Sequence, residues 1–73
     1  MPATRKPAYQ RFLKLLVAAR HDAGLTQMEA AKRLRTNQSF VSRCESGDRR
    51  VDVVELQSFA KAYGKRITYF YKD

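Results

Sequence analysis

Apolar side chains recur at helical spacing in four blocks of the chain, three of them followed by a glycine suited to ending a helix. In the first block Phe12, Leu13, Leu16, Val17 and Ala19 alternate with Arg11, Lys14 and Arg20, which predicts a helix from Tyr9 to Ala23 closed by Gly24. Thr26 stands three residues before Glu29, the spacing of a capping box, with Leu25 before the cap and Ala30 at the staple position. The helix it opens is expected over Gln27 to about Arg35, with Ala30, Ala31 and Leu34 on one face. Its two adjacent alanines allow another helix to come close. Asn37 is a good N-cap for a third helix, Gln38 to about Ser46, which buries Val41 and Cys44 and ends at Gly47. A polar, basic loop from Gly47 to Arg50 leads to Asp52 and Glu55, a second cap pair. They open a fourth helix from Val53 to Tyr63, with Val53, Leu56, Phe59, Ala60 and Tyr63 expected inward and Gly64 at its end.

The two ends of the chain read differently. Residues 1–8 hold both prolines and no apolar period, so they are expected to form a flexible basic arm ahead of a single domain over residues 9–73. Near the other end, Ile67 to Tyr71 has strand propensity, while Thr68 suits the cap of a short helical turn; the short helix is the favoured reading. Helices two and three are separated by only two or three residues. That spacing demands a sharp turn rather than an antiparallel hairpin, which is helix-turn-helix geometry. The fold class expected is all-α, a compact bundle of four to five short helices.

Composition narrows the chemistry. With 73 residues, one domain is the ceiling. No apolar run approaches the roughly 20 residues of a membrane helix, and no signal-peptide pattern follows Arg5, Lys6 and Pro7. A soluble protein of the cytoplasm is therefore expected, with no membrane partner. One cysteine, Cys44, and one histidine, His21, preclude an internal disulfide and lack metal-ligand spacing, so neither metal nor cofactor is expected. No nucleophile–base set, carboxylate pair or glycine-rich phosphate loop is present, and an enzyme is not expected. The net charge is +8, and residues 1–50 carry eleven basic and four acidic side chains against four and three in the remainder. A polyanion is the natural partner of such a field, although charge alone also fits a solubilising surface.

Across residues 16–64 the ordered text resembles the phage-repressor/Cro-like (lambda repressor-like) helix-turn-helix family. The resemblance is carried by Leu16 through Arg20, Gly24-Leu25-Thr26-Gln27, Ala30-Ala31, Leu34 and Val41-Ser42-Arg43-Cys44-Glu45-Ser46-Gly47. It continues through Leu56, Phe59-Ala60 and Ala62-Tyr63-Gly64. The family pattern has glycine where Arg35 stands, so this arginine must adopt an awkward backbone or shift the turn. The resemblance implies that Arg20 and Glu45 form a structural ion pair between helices one and three, and that Gln27 meets a DNA phosphate. It also implies a twofold dimer on a palindromic operator.

The third helix then has two faces. Gln38, Ser39, Ser42 and Arg43 are the candidate base-reading residues, because glutamine and arginine each match one base edge through two hydrogen bonds. Gln27, Asn37, Ser46, Arg49 and Arg50 are the candidate phosphate contacts. Phe40 is open between a thymine methyl and packing on helix two. Three aromatics in a row in the segment 65–73 exceed what one helical face buries, so Ile67, Tyr69, Phe70 and Tyr71 are the candidate homodimer surface; the other reading has them capping the monomer core. The function expected is sequence-specific double-stranded DNA binding by a transcriptional regulator. A repressor or autoregulator of phage, restriction-modification controller or antitoxin type is meant. The alternatives are an antitoxin-like module whose terminal aromatics bind a partner protein such as a toxin, and charge-driven, non-specific nucleic-acid binding.

Overall fold

A computed structural model describes residues 5–71. Four α-helices follow one another: α1 Pro7–Asp22, α2 Gln27–Leu34, α3 Gln38–Ser46 and α4 Val53–Tyr63, with a 3-10 turn over Ile67–Tyr71. No strand occurs among the described residues. Residues 1–4 of the expected arm, and 72–73 of the expected tail, lie outside the described residues. Within that arm, Pro7 and Ala8 belong to α1. Proline fits the first helical position because the amide it lacks has no intrahelical acceptor there.

The caps act as their spacing implies. The Glu29 amide donates to Thr26 Oγ1 at 3.1 Å while the Thr26 amide donates to Glu29 Oε1 at 2.9 Å. Asp52 and Glu55 repeat this box at 2.7 and 3.0 Å. Asn37 Oδ1 accepts from the Phe40 amide at 2.9 Å. Three helices end in the same paired-bond closure. In α1 and α4 a glycine occupies the left-handed position, Gly24 and Gly64. In α2 that position is Arg35, at φ 58° and ψ 42°, whose amide donates to Lys32 O while the Thr36 amide donates to Ala31 O. The awkward backbone anticipated for Arg35 is the one adopted, and the turn keeps its length.

Leu16, Ala19, Ala30, Ala31, Val41, Cys44, Leu56, Phe59, Ala60, Tyr63 and Phe70 form one core. Ala30 and Ala31 are fully buried, so α2 sits close against its neighbours. Phe40 stacks on Phe59 with ring centroids 6.1 Å apart, which assigns it to packing on α4. Arg33 Nη1 donates to Ala62 O at 3.0 Å and ties α2 to the end of α4. Tyr9 Oη accepts from the Val51 amide at 2.9 Å and pins the α3–α4 loop to α1. The Tyr63 hydroxyl is buried without a hydrogen-bond partner among the described residues, and burial pushes its pKa up.

One core expectation fails. Val53 is 63% exposed. Its phase on α4 is right, but it stands in the first turn, at the edge of an open groove lined also by Tyr9, Phe12 and Tyr71.

A left-handed arginine costs about 1–2 kcal/mol, and a glycine loses part of that gain to its freer unfolded chain. Arg35→Gly is expected to stabilise the domain by about 0.5–1 kcal/mol, a rise of several degrees in melting temperature followed by circular dichroism. A lowered midpoint would show that the Arg35 side chain contributes more than its backbone strain costs.

Candidate nucleic-acid interface

Helix α3 is split lengthwise. Val41 and Cys44 are fully buried, whereas Gln38, Ser39, Ser42, Arg43 and Ser46 are exposed. At about 100° per residue these five side chains lie within an arc of roughly 140°. Burial raises the Cys44 thiol pKa, so this sulfur is a small apolar core group rather than a thiolate.

The exposed face is held by a hydrogen-bond relay that begins in the core. Arg20 Nε donates to Glu45 Oε2 at 2.7 Å and Nη2 donates to Oε1 at 3.1 Å. Arg20 Nη1 donates to Leu25 O at 2.9 Å. Both side chains are largely shielded, with exposures of 10% and 6%. The Glu45 hydrogen bond raises the Arg20 pKa against the opposing effect of burial, so the guanidinium stays charged. Glu45 Oε1 also accepts from Gln27 Nε2 at 3.0 Å, and Gln27 Oε1 accepts from Gln38 Nε2 at 3.4 Å.

This relay has a direction. A carboxylate only accepts, so Gln27 must turn its NH2 toward Glu45 and its oxygen toward Gln38. Gln38 must answer with its own NH2. Its carbonyl oxygen and second N–H are then left on the exposed side, an acceptor and a donor next to each other.

The residues expected to flank this face are placed unequally. Arg50 is exposed in the α3–α4 loop. Arg49 is not a free cation: Nη1 lies 2.8 Å from the Glu55 carboxylate and 3.2 Å from Arg50 O, and the guanidinium stacks 4.8 Å from the Phe40 ring centroid. The hydrogen bond from Arg49 lowers the Glu55 pKa, and the reciprocal one raises that of Arg49. Arg49 is a clamp between the loop and α4. Ser46 Oγ donates to Arg43 O at 3.1 Å and accepts from the Asp48 amide at 3.3 Å, closing the end of α3. Asn37 gives its oxygen to the α3 cap. Gln27 stands in the first turn of α2, with its side chain engaged at both ends. Arg43 faces Asp48 at 3.8 Å, both well exposed, a pairing worth at most about 1 kcal/mol and readily exchanged.

The terminal aromatics do not form a free surface. Phe70 is 3% exposed and meets Phe12 edge-on at 6.1 Å. Ile67 and Tyr69 pack partly buried against the core, and Lys65 Nζ sits 4.6 Å from the Tyr69 ring centroid. Of the four expected dimer residues only Tyr71 is largely exposed, at 60%. The segment covers α1 because a 3-10 turn directs successive side chains to several sides, so aromatics adjacent in sequence separate in space.

A family model described as a helix-turn-helix domain matches residues 11–65. A comparison with curated proteins finds no match.

Removing one member of the buried pair leaves the other uncompensated. Glu45→Ala is expected to cost about 3–5 kcal/mol in denaturant unfolding. Arg20→Met combined with Glu45→Met should recover part of the loss, with Leu25 O still lacking its donor. A Glu45→Ala cost under about 1 kcal/mol would remove the pair from its organising role.

Proposed function

The chain belongs to the helix-turn-helix domain family, and from that premise we propose that it is a transcriptional regulator that binds a palindromic DNA operator as a homodimer. The observation that carries this reading is the exposed polar arc of α3 opposite a fully buried apolar one. A helix of about 10–12 Å diameter enters the major groove, roughly 12 Å wide, and presents its first turns to base edges. Gln38 brings the acceptor and donor left free by the relay, which match the N6 amino group and N7 of adenine. Arg43, released from Asp48, reads guanine through two donors, and Ser39 and Ser42 complete the contact.

Phosphate binding falls to Arg50, the Asn37 amide group and the first turn of α2 at Gln27, where free backbone amides and the helix dipole favour an anion. Arg49 and Ser46 hold the loop that carries Arg50. Direct repression, in which the bound dimer excludes polymerase from a promoter, is the simplest consequence. A role led by a partner protein such as a toxin relied on the terminal aromatics, and most of these pack inside their own chain.

Gel shifts with genomic fragments at two salt concentrations test the reading. With roughly six to ten phosphate contacts, affinity should fall about a thousandfold or more from 50 to 200 mM salt while one fragment stays strongly preferred. Loss of preference for any fragment would reduce the protein to a general polyanion binder. Gln38→Ala should relax discrimination at one base pair by about 1–3 kcal/mol and leave random-DNA affinity nearly intact. Arg50→Ala should weaken all sequences alike and lower the salt slope by about 1, and a sequence-dependent loss would move Arg50 among the base readers.

A further inference from the structure

Arg35 is the one non-glycine residue at positive φ among the described residues, at a position where glycine carries no such cost. It lines an open groove of about 500 Å³ between the end of α2 and the second half of α4. Arg33, Lys61, Leu34, Ser58 and Ala62 form the other walls, so every ionisable wall residue is a cation. Arg20, Arg43, Arg49 and Lys65 each face a carboxylate elsewhere in the chain. Arg35 and Lys61 have no ion-pair or side-chain hydrogen-bond partner among the described residues. The acids on the same two helices are committed: Glu29 to the Thr26 cap, and Glu55 to Arg49 and the Asp52 cap.

We propose that this groove is a binding site for a phosphate-bearing anion. Three like charges around one opening repel each other, and the left-handed backbone of Arg35 adds to the cost. An anion in the groove reverses the sign of the electrostatic contribution. Arg33 Nη1 donates to Ala62 O at 3.0 Å, which fixes one guanidinium before any ligand arrives. Guanidinium forks meet phosphate oxygens through paired hydrogen bonds, and Lys61 adds a compact point charge. A single carboxylate balances one of the three cations, whereas a phosphate ester carries about two charges and three acceptor oxygens.

No wall residue belongs to α3, so the groove is separate from the polar arc and its binding does not depend on base reading. Two sources supply this chemistry. One is a free phosphorylated small molecule, for which the groove volume falls in the usual range of roughly 300–1,000 Å³. The other is DNA backbone beyond the base-reading contacts.

Arg35→Gly is the informative variant, since it removes a groove cation while relieving the backbone. The wild-type chain, Arg35→Gly, Lys61→Ala and Arg11→Ala are melted with inorganic pyrophosphate, and with succinate at the same ionic strength. Arg11 is an exposed cation of α1 outside the groove and controls for net charge. Pyrophosphate is expected to raise the midpoint of the wild-type chain and of Arg11→Ala well above the succinate value. The two groove variants should bind it about tenfold or more weakly. Salt slopes on random duplex DNA then separate the sources. A slope lowered by about 1 in both groove variants assigns the site to DNA backbone. An unchanged slope with groove-dependent pyrophosphate binding assigns it to a free phosphorylated molecule. An unchanged slope overturns the site if pyrophosphate acts no more strongly than succinate, or equally on all four proteins. The pyrophosphate arm contains no DNA, so its result stands even if the base-reading assignment fails.

Discussion

The contact between Arg20 and Glu45 organises the rest of the molecule. One guanidinium grips the carboxylate of α3 with two of its nitrogens and the Leu25 carbonyl with the third, so α1, α3 and the corner leading into α2 share a single fixed point. Two charges removed from water gain little net stability, but they tolerate very few geometries. The carboxylate's spare capacity then passes to Gln27 and through it to Gln38. Orientation in the core and orientation at the surface thus rest on the same pair of oxygens.

A small domain with this arrangement has little margin. Its core includes several alanines and one cysteine, and a chain this short buries only about 60% of its unfolded surface. Compensation comes from helix ends that leave few groups unsatisfied, through two capping boxes and a third side-chain cap. Against these stand a left-handed arginine and a buried tyrosine hydroxyl without a hydrogen-bond partner among the described residues. The exposed arc of α3 contributes little to the core. Ser39 and Ser42 in particular are exposed, as expected of a surface that meets a partner.

Much of the fold was legible along the chain because helix ends and helix phase are local properties. Thr26 with Glu29, Asn37, and Asp52 with Glu55 satisfy amides within three residues, so spacing alone located the starts of α2, α3 and α4. Gly24, Gly47 and Gly64 marked three of the ends in the same way. Pro7 was the local signal misread: a residue taken to keep the arm unstructured is the first residue of α1. The polar and apolar sides of α3 followed from the period of its residues, and with them the candidate reading face.

What the sequence by itself determined is therefore the set of helices, their caps and which side of each is apolar, since all of these depend on residues a few positions apart. Tertiary structure decided which apolar and charged groups find a partner from elsewhere in the chain. It left Val53 uncovered although its phase was right, drew Phe70 beneath α1, and committed Arg49 to Glu55 and Phe40. It also set the direction of the Glu45–Gln27–Gln38 relay. Each of these depends on distances between segments that the folded backbone alone fixes, and no spacing along the chain encodes them.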